Sequence, residues 1–181
     1  MHRSPPLAAA LLWVAAANAL GPVPVAAAPV EAFFAPAPFT HQSVRAQIVR
    51  HIAAAHTSID IAIFEFTAGE ITRQLRAAAA RGVHIRVVMD RGQVERDQRG
   101  SSEYRSLQRA RIVVRLVSGL PRDGLMHNKF AIYDRRVVQT GSYNWTERAE
   151  KGNWENAVFI ADPALARTFA AYFERLWDAG S

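Results

Sequence analysis

The stretch HNKFAIYDRRVVQTGSYN, from His127 to Asn144, decides how this chain folds and where its chemistry lies. Two runs rich in apolar and β-branched residues, Lys129–Tyr133 and Val137–Thr140, flank a polar tripeptide at 134–136. Apolar runs of this length on either side of a short polar turn are typical of a β-hairpin. The stretch therefore predicts two antiparallel strands joined by a tight turn.

Folding this hairpin about its turn brings its two ends together. Side chains alternate along a strand, so His127 and Lys129 point to the same face if both lie on the strand. With the turn near residue 135, His127 comes opposite Tyr143 and the next polar residues follow on the same strand. The polar side chains gathered in this way are His127, Lys129, Ser142 and Asn144. An imidazole, an ammonium, a hydroxyl and a carboxamide on one patch suit an anionic oxygen centre such as a phosphodiester.

The spacing of these residues resembles the HKD motif of the phospholipase D superfamily. The matching positions are His127, Lys129 and Asp134 in HxK-x4-D, followed by Gly141, Ser142 and Asn144 in GSxN. The resemblance continues into NWEN at 153–156, where the family often carries an acidic residue, here Glu155, before an asparagine. It runs from about Val30 to Trp177, and a chain with one copy of the motif is most similar to the bacterial single-motif, Nuc-like endonucleases.

The motif residues divide into chemical roles. His127 is the candidate nucleophile, because imidazole with an ordinary pKa of about 6.5 is largely neutral near pH 7. Lys129, Ser142 and Asn144 are expected to hold the nonbridging phosphate oxygens. Glu155 is expected to accept a hydrogen bond from the other nitrogen of His127, as a carboxylate does in a serine-protease triad.

Other residues near the motif are expected to be structural. Asp134 lies at the turn, where its carboxylate is suited to capping backbone amides or pairing with an arginine. Gly141 belongs to the motif without offering a reactive group. Trp145 and Trp154 are expected to pack in the interior, the alternative being that either lines the cleft and stacks on a base.

The resemblance also implies a homodimer. In the HKD family two motifs meet at a twofold or pseudo-twofold axis, where one histidine attacks and the other acts as acid and then base. This chain carries one motif, so two copies of His127 would face each other across a twofold interface. The reaction implied needs neither a metal ion nor a cofactor.

Composition sets broad limits on the class of protein. A length of 181 residues, half of them hydrophobic, indicates one domain with a proper core. The absence of cysteine excludes disulfides, thiolate metal sites and a cysteine nucleophile. A net charge of +6 favours an anionic partner. Only Lys129 and Lys151 are lysines among the 22 basic residues, which indicates that position 129 requires a compact, rotatable charge.

The first 28 residues predict a secretory signal peptide. Arg3 precedes an apolar core at Leu7–Leu20, and small residues at 26–28 offer a cleavage site after Ala27 or Ala28, with Ala19 as a third option. The apolar core is too short to span a bilayer as an uncleaved anchor. We therefore expect a signal peptide at 1–28, a phospholipase D-like phosphodiesterase domain at 29–181, and a periplasmic or secreted protein.

The rest of the chain predicts an α/β fold. Strand, helix and strand at 58–64, 68–80 and 83–89 form a βαβ unit. Further strands are expected at 30–34, 112–116 and 157–160, and further helices at 43–56, 104–110 and 164–177. Residues 90–104, with Arg91, Arg96 and Arg99, are expected to form a substrate-contacting loop, the alternative being a solvated loop without a role in binding. With the resemblance, this pattern implies a single domain with a mixed, mostly parallel β-sheet flanked by helices on both faces.

The sequence is compatible with three functions. The leading one is a metal-independent endonuclease that cleaves DNA or RNA through a phosphohistidine, because the basic balance suits a polyanionic backbone. The alternative is a phospholipase D that hydrolyses phospholipid head groups, converting phosphatidylcholine to phosphatidate. A third, from another class, is a catalytically silent nucleic-acid-binding module, which would not need the full set of motif residues.

Overall fold

The fold is described by a computed structural model, which covers residues 28–37, 39–97, 100, 102–121 and 124–181. Most of the expected signal peptide, residues 1–27, and Arg99 of the expected loop lie outside these residues. The strands are β1 (Val30–Ala35), β2 (Ser58–Ile63), β3 (His84–Asp90), β4 (Val113–Val117), β5 (Lys129–Tyr133), β6 (Val137–Gly141) and β7 (Glu155–Ile160). The helices are α1 (Val44–Ala54), α2 (Gly69–Ala80), α3 (Arg91–Glu95), α4 (Tyr104–Arg109), α5 (Glu147–Lys151) and α6 (Pro163–Ala179).

The strands form one mixed sheet in the order β1-β7-β6-β5-β2-β3-β4. The predicted βαβ unit is confirmed, since α2 joins the parallel strands β2 and β3. The expected excess of parallel pairs is not found: among the described strands only β2–β3 and β3–β4 are parallel, and the other four pairs are antiparallel. The three-residue turn between β5 and β6 is too short for the crossover that parallel pairing needs.

Helices cover both faces of the sheet, as predicted. On one face, α1, α2 and α4 pack on the larger part of the core. Helix α1 begins after Ser43, whose hydroxyl accepts a hydrogen bond from the amide of Ala46 at 3.1 Å. Its apolar stripe, Val44, Ile48 and Ile52, is fully buried. On the other face, α6 packs alone on a smaller cluster.

Helix α6 is fastened to the sheet by one arginine. Arg86 on β3 donates to both carboxylate oxygens of Asp60 on β2, at 2.8 and 3.0 Å, and to Glu174 on α6 at 2.7 and 3.0 Å. Its guanidinium also lies 4.8 Å from the ring centre of Phe173 and 5.2 Å from that of Trp177. These contacts determine where α6 stands relative to the neighbouring strands.

The structure corrects two expectations near the motif. Residues 90–104 are not a continuous loop, because α3 begins directly after β3 with Asp90 as its cap. The Asp90 carboxylate accepts from the amide of Gln93 at 2.9 Å, and this local bond starts a helix in a polar, glycine-containing stretch. Trp145 is buried against Phe66, as predicted, but Trp154 is 91% exposed and does not pack in the interior.

Candidate active site

Most of the motif residues meet at one edge of the sheet. Strands β2, β3 and β4 end at this edge, and β5 runs antiparallel to β2, so that Lys129 at its start lies beside Ile63 at the end of β2. Strand β6 ends at the same edge, with Gly141 beside Ala157 of β7. The carboxyl ends of parallel strands are where open α/β sheets place their binding sites.

The hairpin predicted from the sequence forms in the expected register. Phe130 pairs with Thr140 and Tyr133 with Val137, on either side of the turn. Continuing this register two and three residues past Thr140 places Ser142 and Tyr143 next to the start of β5. The convergence of the two ends of the stretch is thus a direct result of pairing along the hairpin.

His127 stands just before β5 with its side chain exposed. Its ring lies edge-on against Phe64, with 4.6 Å between ring centres, and its carbonyl accepts a hydrogen bond from the Lys129 ammonium at 3.1 Å. Burial lowers the pKa of His127, and the charge of Lys129 lowers it further, whereas Asp90 opposes both. The neutral form of the imidazole is favoured as a result.

Lys129 is a buried cation, with only 8% of its surface exposed. Its ammonium lies 4.9 Å from the centre of the Phe64 ring. Burial lowers the pKa of Lys129, while the carboxylates of Glu155 and Glu65 raise it. These two acidic residues therefore help to keep the ammonium charged in a partly desolvated place.

Ser142 and Glu155 form a hydrogen-bonded pair on neighbouring strands. The Ser142 hydroxyl donates to the Glu155 carboxylate and accepts from the amide of Asn156 at 3.2 Å. Glu155 also accepts from the side-chain amide of Asn153 at 2.9 Å. The expected bond between Glu155 and His127 is not among the hydrogen bonds of the described residues. The carboxylate that acts electrostatically on His127 is instead that of Asp90.

Gly141 and Asn144 are positioned by close backbone contacts. A Cβ at Gly141 would come 2.3 Å from the carbonyl oxygen of Asn156, so only glycine allows β6 and β7 to approach this closely. The Asn144 side-chain oxygen accepts from the amide of Glu65 at 3.3 Å, which connects the GSxN segment to the residues after β2.

Asp134 lies at the opposite end of the hairpin, as expected from its place in the turn. Its carboxylate accepts hydrogen bonds from the amides of His56, Thr57 and Ser58 and from the Thr57 hydroxyl, at 2.7 to 3.2 Å. Burial opposes its ionisation, but these bonds together hold the pKa of Asp134 below its usual range. The predicted capping of backbone amides is confirmed.

Two residues at this edge escaped the sequence analysis. Asp90, 1% exposed at the end of β3, accepts from the amide of Met126 at 2.8 Å and so fixes the backbone next to His127. Phe64, directly after β2, contacts both His127 and Lys129. Their positions at the carboxyl ends of two predicted parallel strands were the available signal.

Two cavities flank these residues. One, of about 130 Å³, includes Phe64 and Glu65 together with Gln93 and Arg96 from α3 and the turn after it. The other, of about 490 Å³, includes His127 and Lys129 and extends to α6. Among the described residues, no cluster of three or more histidine, aspartate or glutamate side chains is arranged to hold a metal ion. The edge offers a neutral imidazole, a cation and hydrogen-bond donors, which together can bind and attack a phosphodiester.

Comparison with known families and curated proteins places these features in context. A family model described as "Cardiolipin synthase, PLD-like domain" matches residues 48–177. The chain is 36% identical over 137 residues to a mitochondrial cardiolipin hydrolase of Homo sapiens, which is 76% of this chain and 52% of that protein. The corresponding protein of Drosophila melanogaster is 35% identical over 162 residues, or 77% and 62% of the two chains. The chain thus spans about half the length of the curated relatives it matches.

Two solved bacterial structures match over nearly their whole length. A phospholipase D family member, Nuc from Salmonella typhimurium, shares 32% identity with a TM-score of 0.72, and the match covers 85% of this chain and 97% of Nuc. NucT from Helicobacter pylori has a TM-score of 0.77 at 24% identity, covering 84% of this chain and 98% of NucT, which shows a common fold.

Proposed function

Because this chain belongs to the phospholipase D superfamily of phosphodiester hydrolases, we propose that it is a metal-independent endonuclease that cleaves DNA or RNA through a phosphohistidine intermediate. The convergence of His127, Lys129 and Ser142 at one edge of the sheet is the observation that carries this proposal. The net charge of +6 supports a polyanionic substrate. So does the likeness to Nuc along nearly its whole length.

In the proposed reaction an imidazole nitrogen of His127 attacks phosphorus while the bond to the leaving oxygen breaks. The second histidine, His127 of the partner subunit, starts this step as the imidazolium and gives its proton to that oxygen, becoming neutral. It then takes a proton from water, whose oxygen attacks phosphorus and breaks the P–N bond, so that both histidines return to their starting states. Lys129 and Asn144 hold the nonbridging oxygens, and Ser142 joins them when its hydroxyl proton turns from Glu155 to the phosphate. Glu155 keeps the Lys129 ammonium charged.

The second candidate is a phospholipase D that hydrolyses phospholipid head groups. It is supported by the curated relatives, which are named cardiolipin hydrolases. Each helix in the described part of the chain is too short or too polar to cross a bilayer.

We also propose a signal peptide at the N-terminus of the chain. Residues 1–28 would act as a signal peptide, and the domain at 29–181 would work in the periplasm or outside the cell. This part of the proposal rests on the sequence pattern alone.

The deciding experiment compares substrates with purified protein in excess EDTA. Plasmid DNA, single-stranded RNA and vesicles of phosphatidylcholine or cardiolipin are incubated with wild type and with His127→Ala. We expect nucleic-acid cleavage that falls by more than about 10³-fold in the variant, because a lost nucleophile has no substitute. His84→Ala, at the exposed start of β3 on the opposite edge, is the matched control and should retain wild-type rates.

Each other outcome selects a different function. Release of head groups from vesicles without nucleic-acid cleavage would select the phospholipase. Retention of DNA in gel shifts with neither reaction would indicate a binding module. Cleavage that EDTA abolishes would contradict the metal-independent mechanism.

A further inference from the structure

The larger cavity beside His127 continues along one side of helix α6, and we refer to it as the Tyr172 groove. Its volume is about 490 Å³, within the range of sites that hold small molecules. The groove is lined by His127, Asn128, Lys129, Phe130, Thr140, Gly141, Thr168, Phe169 and Tyr172. Since the proposed nucleophile forms one end, this groove is a place where a group attached to a phosphate at His127 can lie.

The Tyr172 side chain is held in place while much of it stays open to solvent. Its hydroxyl accepts a hydrogen bond from the Asn128 side-chain amide at 3.3 Å, and its ring lies 6.2 Å from that of Phe130. Phe130 in turn packs edge-on against Phe169, with 5.1 Å between ring centres. Phe130 is 2% exposed, whereas Tyr172 is 41% exposed. An aromatic ring fixed at one end and open elsewhere is suited to stacking with a planar ligand.

The chemistry of the groove favours a nucleobase over an acyl chain. Asn128, Thr140 and Thr168 line the groove together with the aromatic rings. The Thr168 hydroxyl donates to the carbonyl of Ala164 at 3.3 Å, and the Asn128 amide donates to Tyr172, so neither of these donors needs a ligand. The Asn128 side-chain oxygen and the Thr140 hydroxyl have no partner among the hydrogen bonds of the described residues, and an acyl chain would cover them without offering one, which is unfavourable. A nucleoside offers an aromatic face for stacking and polar edges for these groups.

We propose that Tyr172 is a specificity-determining residue, whose ring stacks on the base of a nucleotide next to the scissile phosphate. This inference rests on the proposed nuclease function and adds to it the contact that selects the substrate class. The stacking is expected to tolerate every base, because each has a flat aromatic face.

The test is a cycle that combines a protein variant with a modified substrate. Single-stranded oligonucleotides carry one abasic residue, and cleavage at each bond is followed on a denaturing gel under kcat/KM conditions. At ordinary bonds, Tyr172→Ala should lower the rate about 5- to 150-fold, the loss that base stacking on one aromatic side chain typically represents. At a bond flanked by the abasic residue, wild type should be slowed by a similar factor, and the variant should lose little more.

Two further variants separate stacking from other effects. Tyr172→Phe keeps the ring without the hydroxyl and should stay within about twofold of wild type. Tyr172→Leu keeps an apolar side chain of comparable bulk and should behave like Tyr172→Ala on oligonucleotides. Circular dichroism and thermal melts check that each variant folds, and Tyr172→Leu replaces Tyr172→Ala in the cycle should the latter not fold.

The inference and the underlying function fail in different ways. If Tyr172→Ala and the abasic residue each lower the cleavage rate independently, their combined effect is the product of the two separate factors, whichever side of the bond carries the abasic residue. That result would overturn the stacking and leave the nuclease function intact. Absence of nucleic-acid cleavage by wild type would overturn both. If Tyr172→Ala lowers activity on phospholipid vesicles alone, and Tyr172→Leu keeps wild-type activity on them, the groove binds an acyl chain.

Discussion

At the scale of the single residue, His127 lies where a neutral imidazole is favoured. Its packing against Phe64 and the charge of Lys129 both disfavour a second proton on the ring, and Asp90 offsets them only in part. Only the neutral ring has a lone pair with which to attack phosphorus. The pKa of His127 thus lies below the ordinary value of about 6.5, and the proposed nucleophile stays available in mildly acidic solution.

Replacing the two charged neighbours should move the His127 pKa in opposite directions. Lys129→Met removes a repelling cation and should raise the pKa, while Asp90→Asn removes an attracting anion and should lower it further. The midpoints are read by NMR titration of the imidazole, assigned by comparison with His127→Gln. In Asp90→Asn, the pH below which kcat/KM falls, as His127 becomes protonated, should be lower than in wild type. Identical midpoints in wild type and both variants would contradict this electrostatic account.

At the scale of the element, one carboxylate fastens the turn of the β5–β6 hairpin to the start of β2. Asp134 and Arg135 have φ angles of 51° and 54°, in the left-handed region that aspartate tolerates better than most residues. The Asp134 amide donates to the carbonyl of Ser58 at 2.8 Å. Its carboxylate accepts hydrogen bonds from the amides just before and at the start of β2. The D of the motif thus holds the hairpin in register with the sheet, far from the reacting groups.

Asp134→Ala is expected to affect stability and leave catalysis almost unchanged. The free energy of unfolding at pH 7 should fall by about 1.5–3 kcal/mol, the usual contribution of hydrogen bonds to a charged group. The pKa of Asp134 is lowered in the folded state, so its contribution is full above the unfolded value of about 3.9 and is lost as the pH falls through the lower folded value. Urea denaturation of wild type, Asp134→Ala and Asp134→Asn at pH 7 and below pH 4 measures this.

The kinetic comparison is the control for that prediction. Because Asp134 and His127 lie at opposite ends of β5, kcat should change less than about twofold in either variant at temperatures where both are folded. A large loss of kcat with unchanged stability would assign Asp134 to the reaction instead of the fold.

At the scale of the whole molecule, one chain supplies one histidine to a reaction that is proposed to use two. The edge that carries His127 also exposes Phe34, Leu120 and Trp154, apolar side chains that a second subunit would cover. A twofold axis near this edge would bring two copies of His127 together and bury the same surface on both subunits. We therefore propose a homodimer in which both subunits complete each active site.

Mixing subunits tests this dimer. Wild type and His127→Ala are combined in equal amounts and allowed to exchange, and turnover is compared with wild type at the same total concentration. A shared site should leave about one quarter of the activity, because only dimers with two wild-type subunits work, whereas independent sites would leave about one half. Sedimentation or light scattering establishes the dimer itself. A monomer with full activity would contradict the shared mechanism.

The local features of the site were predictable because they depend on neighbours along the chain. The register that brings Ser142 to the start of β5 follows from the length of one turn, and the capping by Asp134 follows from its place in that turn. Most strands and helices were likewise predicted from the spacing of their apolar residues, with boundaries close to those observed.

The remaining features depend on contacts between distant segments, which no local pattern encodes. Glu155 bonds to Ser142 and not to His127, since the pairing of β6 with β7 sets the carboxylate beside the hydroxyl. Asp90 acts on His127 only because β3 ends where the Met126 amide arrives, 36 positions further along the chain. Tyr172 lines the groove because α6 packs on the sheet through Ala166 and Phe173, beside the Arg86–Glu174 hydrogen bonds. The helical stripe of aromatic residues specifies that α6 packs, but the arrangement of the sheet beneath it selects which ring remains open to solvent.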